Sequence, residues 1–88
     1  MPTLFIPIEM RKLTAGVDKV QVDGLTLRDA VAELDQRYPG MREAVFADDW
    51  MRPGVAAVID GEQTVDGPRT KLREDSEVHF LRPIAGGA

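Results

Sequence analysis

One stretch of this chain has the pattern of a long amphipathic helix, and it constrains everything around it. In "LTLRDAVAELDQRYPG" the residues Leu27, Val31, Leu34 and Tyr38 recur every three or four positions, the spacing that lines one helix face. Thr26 with Asp29 three residues on resembles a capping box in which Asp stands for the usual Glu. Pro39-Gly40 supplies the stop. A lone helix with one apolar face must bury that face against something, and the flanking segments offer strands.

Before the helix, "TLFIPIEM" alternates, with Leu4, Ile6, Ile8 and Met10 on one side and Thr3 and Glu9 on the other. Pro7 donates no ladder hydrogen bond, so a bulge or a missing bond is expected there. A turn at "TAGVD" leads into "KVQVDG", and residues 3–23 read as a hairpin. After the helix, residues 41–54 predict one weak helical turn and then a loop. Trp50, the single tryptophan, reads as a packing plug over the helix end. "VAAVIDG" is a buried strand closed by a turn at Asp60-Gly61, and "EQTVDGPRTKL" a short strand piece and a turn. "REDSEVHFLRP" is a final strand with Val78 and Phe80 inward, His79 and Leu81 outward. The order is strand, strand, helix, strand, short strand, strand. It predicts an α+β fold, a sheet with the helix across one face.

Eighty-eight residues make one domain with a thin core. A formal charge of −4 argues against nucleic acid as a partner. The start "MPTLFIPIEM" lacks the basic segment and apolar core of a signal peptide, and "VAAVI" is too short to span a bilayer. A cytoplasmic protein without a membrane partner is the expectation.

Most chemical constellations are missing. There is no cysteine, hence no disulfide framework and no thiolate nucleophile. His79 is the only histidine, so neither a histidine-based metal cluster nor a Cys-His dyad can be assembled. Asp48-Asp49 and Glu74-Asp75 are paired acids in turn-like contexts, where carboxylates serve local hydrogen bonding. Arg69, Lys71, Arg73 and Arg82 gather positive charge late in an acidic chain, either as scattered solvated charges or as a docking patch. No catalytic residue is assigned and no metal or cofactor is expected to be bound. The chain reads as a non-enzyme.

The tail "FLRPIAGGA" holds the remaining information. Glycine loses more backbone entropy on ordering than any other residue. Two adjacent glycines therefore mark a terminus indifferent to order or one built to pass a narrow place. The segment Leu72-Arg73-Glu74-Asp75-Ser76-Glu77-Val78 runs into Phe80-Leu81-Arg82-Pro83-Ile84-Ala85-Gly86-Gly87. This ending resembles that of the ubiquitin-like sulfur carriers of the MoaD/ThiS type: an acidic turn, a strand, a proline, an apolar residue and a diglycine.

The resemblance implies a β-grasp fold, a mixed sheet of four to five strands with one main helix packed across it. Residues 1–82 would form that domain, and residues 83–88 a flexible diglycine tail with one extra alanine. It further implies a carrier that stores sulfur as a C-terminal thiocarboxylate on Gly87, with Gly86 as the slender neck beside it. An ATP-dependent, ubiquitin-activating-type adenylyltransferase, using ATP and magnesium, would activate the glycine carboxylate, and a sulfur donor would displace AMP. Leu81, Arg82, Pro83 and Ile84 would contact that partner, with Pro83 stiffening the exit. Extended, Pro83 to Gly87 spans about 16 Å, enough to thread into a channel. Ala88 departs from the family pattern because it masks the glycine carboxylate. Cleavage between Gly87 and Ala88, by a metalloprotease of the JAMM type, would restore it. Systems of that kind supply sulfide to amino-acid, cofactor or specialised-metabolite synthesis, through an acceptor enzyme that uses pyridoxal phosphate. Two further classes fit the same residues: a protein modifier that forms isopeptide bonds through Gly87, and an interaction module that never uses its tail.

Overall fold

The computed structural model describes residues 1–81. The helix forms where its pattern placed it. Thr26 Oγ1 accepts a hydrogen bond from the Asp29 backbone N–H at 3.1 Å, and α1 runs from Leu27 to Arg37. Leu27, Val31 and Leu34 are fully buried. They share the core with Leu4, Val20, Ala57, Val78 and Phe80 of a five-stranded sheet. Polar clamps fix α1 to the sheet edge. Glu33 Oε1 accepts from Asp23 N at 2.9 Å, while Arg37 donates to the Gln21 carbonyl at 2.8 Å.

The sheet takes β1 (Thr3–Phe5), β2 (Lys19–Gln21), β5 (Ala56–Ile59), β6 (Glu62–Gln63) and β7 (Glu77–Leu81), arranged β2-β1-β7-β5-β6. β1 and β7 run parallel at the centre, with Leu4 opposite Val78. The other pairings are antiparallel. A mixed five-stranded sheet with one main helix across it is the expected β-grasp architecture.

Two local expectations are corrected. The first strand stops at Phe5, and Ile8–Thr14 form a 3-10 helix. Pro7 sits extended at its start (φ −67°, ψ 154°). Lacking an N–H, and with a φ already suited to a helix entry, it turns the chain out of the sheet. Ile8 is therefore 74% exposed rather than inward, while Met10 reaches the core from the 3-10 turn. Sheet pairing persists only through Ile6 N, which donates to the Asp18 carbonyl at 2.7 Å. Residues 3–23 remain a hairpin, with this helix in its loop.

Residues 41–54 are more ordered than the predicted loop. A short α2 (Met41–Val45) is followed by a small hairpin of β3 (Phe46–Ala47) and β4 (Trp50–Met51). Its two-residue turn places Asp48 at φ 56°, a left-handed conformation that aspartate tolerates. Asp35 Oδ1 caps the entry to α2 by accepting from Gly40 N and Arg42 N.

Among the described glycines, Gly24 leaves the least room for a side chain. A Cβ there would lie 2.5 Å from Ala30 N and 2.7 Å from Asp29 C, inside the backbone of α1. Gly24→Ala must push the helix from the sheet, and we expect a stability loss of about 2–3 kcal/mol in urea unfolding. A loss below about 0.5 kcal/mol would show that the loop shifts freely instead.

Candidate functional site

Strand β7 carries the tail, and its alternation divides the sheet. Val78 and Phe80 point into the core, so Glu77, His79 and Leu81 lie on the face opposite the helix. In register, His79 lies between Phe5 of β1 and Val58 of β5. Its ring stacks on Phe5, with centroids 4.1 Å apart and planes 6° from parallel. Leu81 pairs with Ala56 and is 49% exposed. The open face thus has an apolar centre of Phe5, Val58, His79, Ala56 and Leu81. Lys19 lies in the same row beside Phe5.

A recess of about 300 Å³ adjoins the end of β7, lined in part by Phe5, Pro7, Arg11, Asp18 and Leu81. Arg11 is fixed by donating from Nε to the Ile6 carbonyl at 2.9 Å. Of the sequence-predicted contact residues, Leu81 lies at this exit. Arg82, Pro83, Ile84, Gly86, Gly87 and Ala88 fall outside the described residues.

The start of β7 is held by Asp60, whose place in the sequence predicts only a turn former. Asp60 and Gly61 both have positive φ (51° and 88°) and join β5 to β6 in a two-residue turn. From there the Asp60 carboxylate reaches across to β7. Oδ1 accepts from Glu77 N at 2.9 Å, and Oδ2 accepts from Ser76 Oγ at 2.9 Å and from Arg73 at 3.3 Å. The buried Ser76 hydroxyl in turn accepts from Arg73 N at 2.8 Å, closing the acidic turn. The "D-S-E-V" of the ending therefore has a structural use: it anchors the strand. The Glu77 N–H, helped by Ser76 and Arg73, holds the Asp60 carboxyl below its ordinary 3.8, against the opposing effect of partial burial.

Other sequence candidates fall into place singly. Arg73 pairs with Asp60. Lys71 makes an isolated bridge with Thr26, and Arg69 borders Trp50. Lys71 and Arg73 border one recess with Asp60 and Ser76, Arg69 lies apart from that lining, and Arg82 falls outside the described residues. Trp50 is corrected as a buried plug: it is 53% exposed, with its ring against Gly67 and bordering one depression with Arg28 at the start of α1. Among the described residues, no group of three or more His, Cys, Asp or Glu side chains could hold a metal ion. No helix among them is long and apolar enough to cross a membrane.

With this geometry in view, the comparisons are decisive for family. The ThiS family profile matches residues 6–87. The chain belongs to the ThiS family. Its fold is shared with a chain of the Amycolatopsis orientalis BexX/CysO complex at a TM-score of 0.93, with 19% identity over 99% of this chain and 100% of that one. Mycobacterium tuberculosis CysO aligns at 0.87, with 22% identity over 96% and 100% of the two chains. The small archaeal modifier protein 1 of Methanosarcina acetivorans aligns at 0.81, with 20% identity over 98% and 95%. No curated protein matches by sequence. This ThiS-family member is thus a ubiquitin-like β-grasp domain of the sulfur-carrier family, with an open apolar sheet face next to the strand that leads to its diglycine.

The Asp60 cluster gives a pH prediction. Its folded-state pKa lies below the ordinary value, so its stabilisation is complete above that value. The contribution is lost as pH falls through the lower folded pKa. At neutral pH, Asp60→Asn should cost about 1–2 kcal/mol, because the carboxylate is 26% exposed and its bonds are partly solvated. Urea titrations at several pH values should show the wild-type advantage shrinking below about pH 4. An advantage unchanged down to about pH 2 would refute the assignment.

Proposed function

We propose that this chain is a sulfur carrier whose reactive atom is the Gly87 carboxylate. A protease of the JAMM type removes Ala88. An activating enzyme of the ubiquitin-activating type, using ATP and magnesium, then joins the exposed carboxylate to AMP, releasing pyrophosphate. A sulfide-equivalent nucleophile attacks the acyl carbon, the acyl–phosphate bond breaks, AMP leaves, and a thiocarboxylate remains. Glycine suits both steps because it has no Cβ to obstruct approach to the carbonyl. The thiocarboxylate then delivers sulfur to an acceptor enzyme that uses pyridoxal phosphate, in amino-acid, cofactor or specialised-metabolite synthesis.

The observation that carries this reading is the extent of the family match, which runs through the diglycine and ends at Gly87, one residue short of Ala88. The domain supplies no catalytic group of its own in this scheme. It acts as a handle, and partners grip it by the open face of Phe5, Val58 and Leu81 beside the tail, with Arg82, Pro83 and Ile84 adding contacts further along. The likeness to CysO in a complex with BexX supports a carrier that docks on a partner protein.

A second reading, a modifier that forms isopeptide bonds through Gly87, is favoured by the likeness to the archaeal modifier protein. Intact mass separates the two readings. With protease, activating enzyme and sulfur donor present, we expect a species lacking Ala88 and carrying sulfur in place of one carboxyl oxygen. A full-length species that stays unchanged would sink the carrier reading, and higher-mass adducts on protein lysines would favour the modifier.

The docking face is testable separately. Leu81→Asp and Val58→Asp place a charge in the apolar centre of an exposed face, so the fold should persist. We expect each to slow adenylation of the trimmed chain about tenfold or more, at an unchanged unfolding midpoint. Wild-type rates in both variants would move the docking surface elsewhere.

A further inference from the structure

Among the described residues the sheet has two outer strands, β6 and β2. An outer strand presents backbone N–H and C=O groups to which another strand can bond, and native sheets shield such edges. β6 is two residues long, a short template for any partner. β2 is the longer edge, and the chain shields it by a different means.

The direction of its backbone groups follows from its pairing with β1. Val22 N donates to the Pro2 carbonyl at 2.9 Å, and the Asp18 carbonyl accepts from Ile6 N at 2.7 Å. Even-numbered residues of this stretch therefore bond towards β1. Lys19, Gln21 and Asp23 turn their N–H and C=O groups outward. Two of those outward groups are taken, both by side chains of α1. The Gln21 carbonyl accepts from Arg37 Nη1 at 2.8 Å, and Asp23 N donates to Glu33 Oε1 at 2.9 Å. Arg37 Nη2 and Glu33 Oε2 close the circuit at 3.1 Å, an i,i+4 pair on one helix face.

The pattern is that of a strand. A residue in a parallel neighbour opposite Val22 would donate its N–H to the carbonyl before Val22. Its own carbonyl would accept from the N–H after Val22. Arg37 supplies that donor and Glu33 that acceptor. We propose that the Glu33–Arg37 pair is an edge latch, standing in for one residue of a missing strand and keeping β2 from accepting another. The order of the two charges is what sets a latch apart from a helix ion pair. An exposed i,i+4 pair contributes little and forms in either order, whereas only an acceptor at position 33 and a donor at position 37 match the edge. The exposed Lys19 adds a charge on the remainder of the strand, a further deterrent to pairing. β1 separates the latch from β7, so it can be tested without any step of the tail's chemistry.

The test is the charge-reversed chain Glu33→Arg/Arg37→Glu. It keeps an i,i+4 ion pair on α1 but sets donor against donor at Asp23 N and acceptor against acceptor at the Gln21 carbonyl. In dilute solution, at about 10 µM, the Asp23 amide should exchange its hydrogen about tenfold or more faster than in the wild type. In a pure sample the strands on offer are those of other copies. Sedimentation equilibrium up to about 1 mM should therefore show the wild type monomeric and the reversed chain associating. Adding Gln21→Pro to the reversed chain should return it to monomer. The N–H it removes points outward, so the pairing with β1 keeps its bonds while the edge loses a donor. Association caused by misfolding would not be cured in this way. A reversed chain that stays monomeric to about 1 mM overturns the proposal. So do association that survives Gln21→Pro, an unchanged Asp23 exchange rate, and a wild type that associates until Gln21→Pro is introduced.

Discussion

The parallel pairing of β1 with β7 at the middle of the sheet is the constraint on which the rest of this molecule depends. It brings Thr3–Phe5 beside Glu77–Leu81, the two ends of the domain, and so sets where the tail emerges. Parallel neighbours cannot be joined by a tight turn, and everything between these strands has to travel round. One helix, one short helix, a small hairpin and two antiparallel edges occupy that route. The neighbours of β7 supply both halves of the open face, Phe5 from one side and Val58 and Ala56 from the other. Pro7 then directs the chain away, so the recess at the strand end is bordered by the turn that follows β1.

The two faces of the sheet differ because strand alternation keeps their side chains separate. Leu4, Val78 and Phe80 are spent on the core with α1, and their neighbours Phe5, His79 and Leu81 face away from it. In a thin domain this is close to the limit of what can be exposed. The core holds because the helix side is tightly fitted, with Gly24 lying against the backbone of α1 and Arg37 tying the helix to the edge strand. The anchoring of β7 by Asp60 and Ser76 lies at the strand end remote from the tail. Rigidity is thus set at one end of β7, and the chemistry attributed to this family begins at the other.

What could be read in advance was what is local in sequence. The helix from Leu27 was legible because its period and its Thr26 cap are neighbours in the chain. The α+β class was legible because strand and helix periods follow one another in a telling order, and the β-grasp fold came with the ending's resemblance to the family. Ile8 was misplaced because alternation continues through Pro7 in the letters, while the backbone does not continue in the sheet. Met10 is buried under either reading, so it hid the change. The β3–β4 hairpin escaped because its strands have two residues each and its turn uses Asp48 where a glycine would have signalled it. Asp60 looked like a turn residue because nothing near it in sequence shows that Ser76 and Glu77 will arrive beside it. Trp50 was legible as a large apolar ring but not as a half-exposed one, since its seat is a glycine seventeen positions away.

The central position of β7 also governs when the fold can form. Its partners β1 and β5 are made earlier, but the sheet has a gap at its middle until residues 77–81 are available. Contacts that span nearly the whole chain form slowly, because a large loop must close before they contribute. A nascent chain on the ribosome therefore cannot complete this domain until synthesis has reached the segment next to the diglycine. A copy broken off before β7 has no centre to its sheet and should be cleared as unfolded protein. Possession of the fold thus certifies that synthesis has passed residues 77–81, the segment that leads to the diglycine.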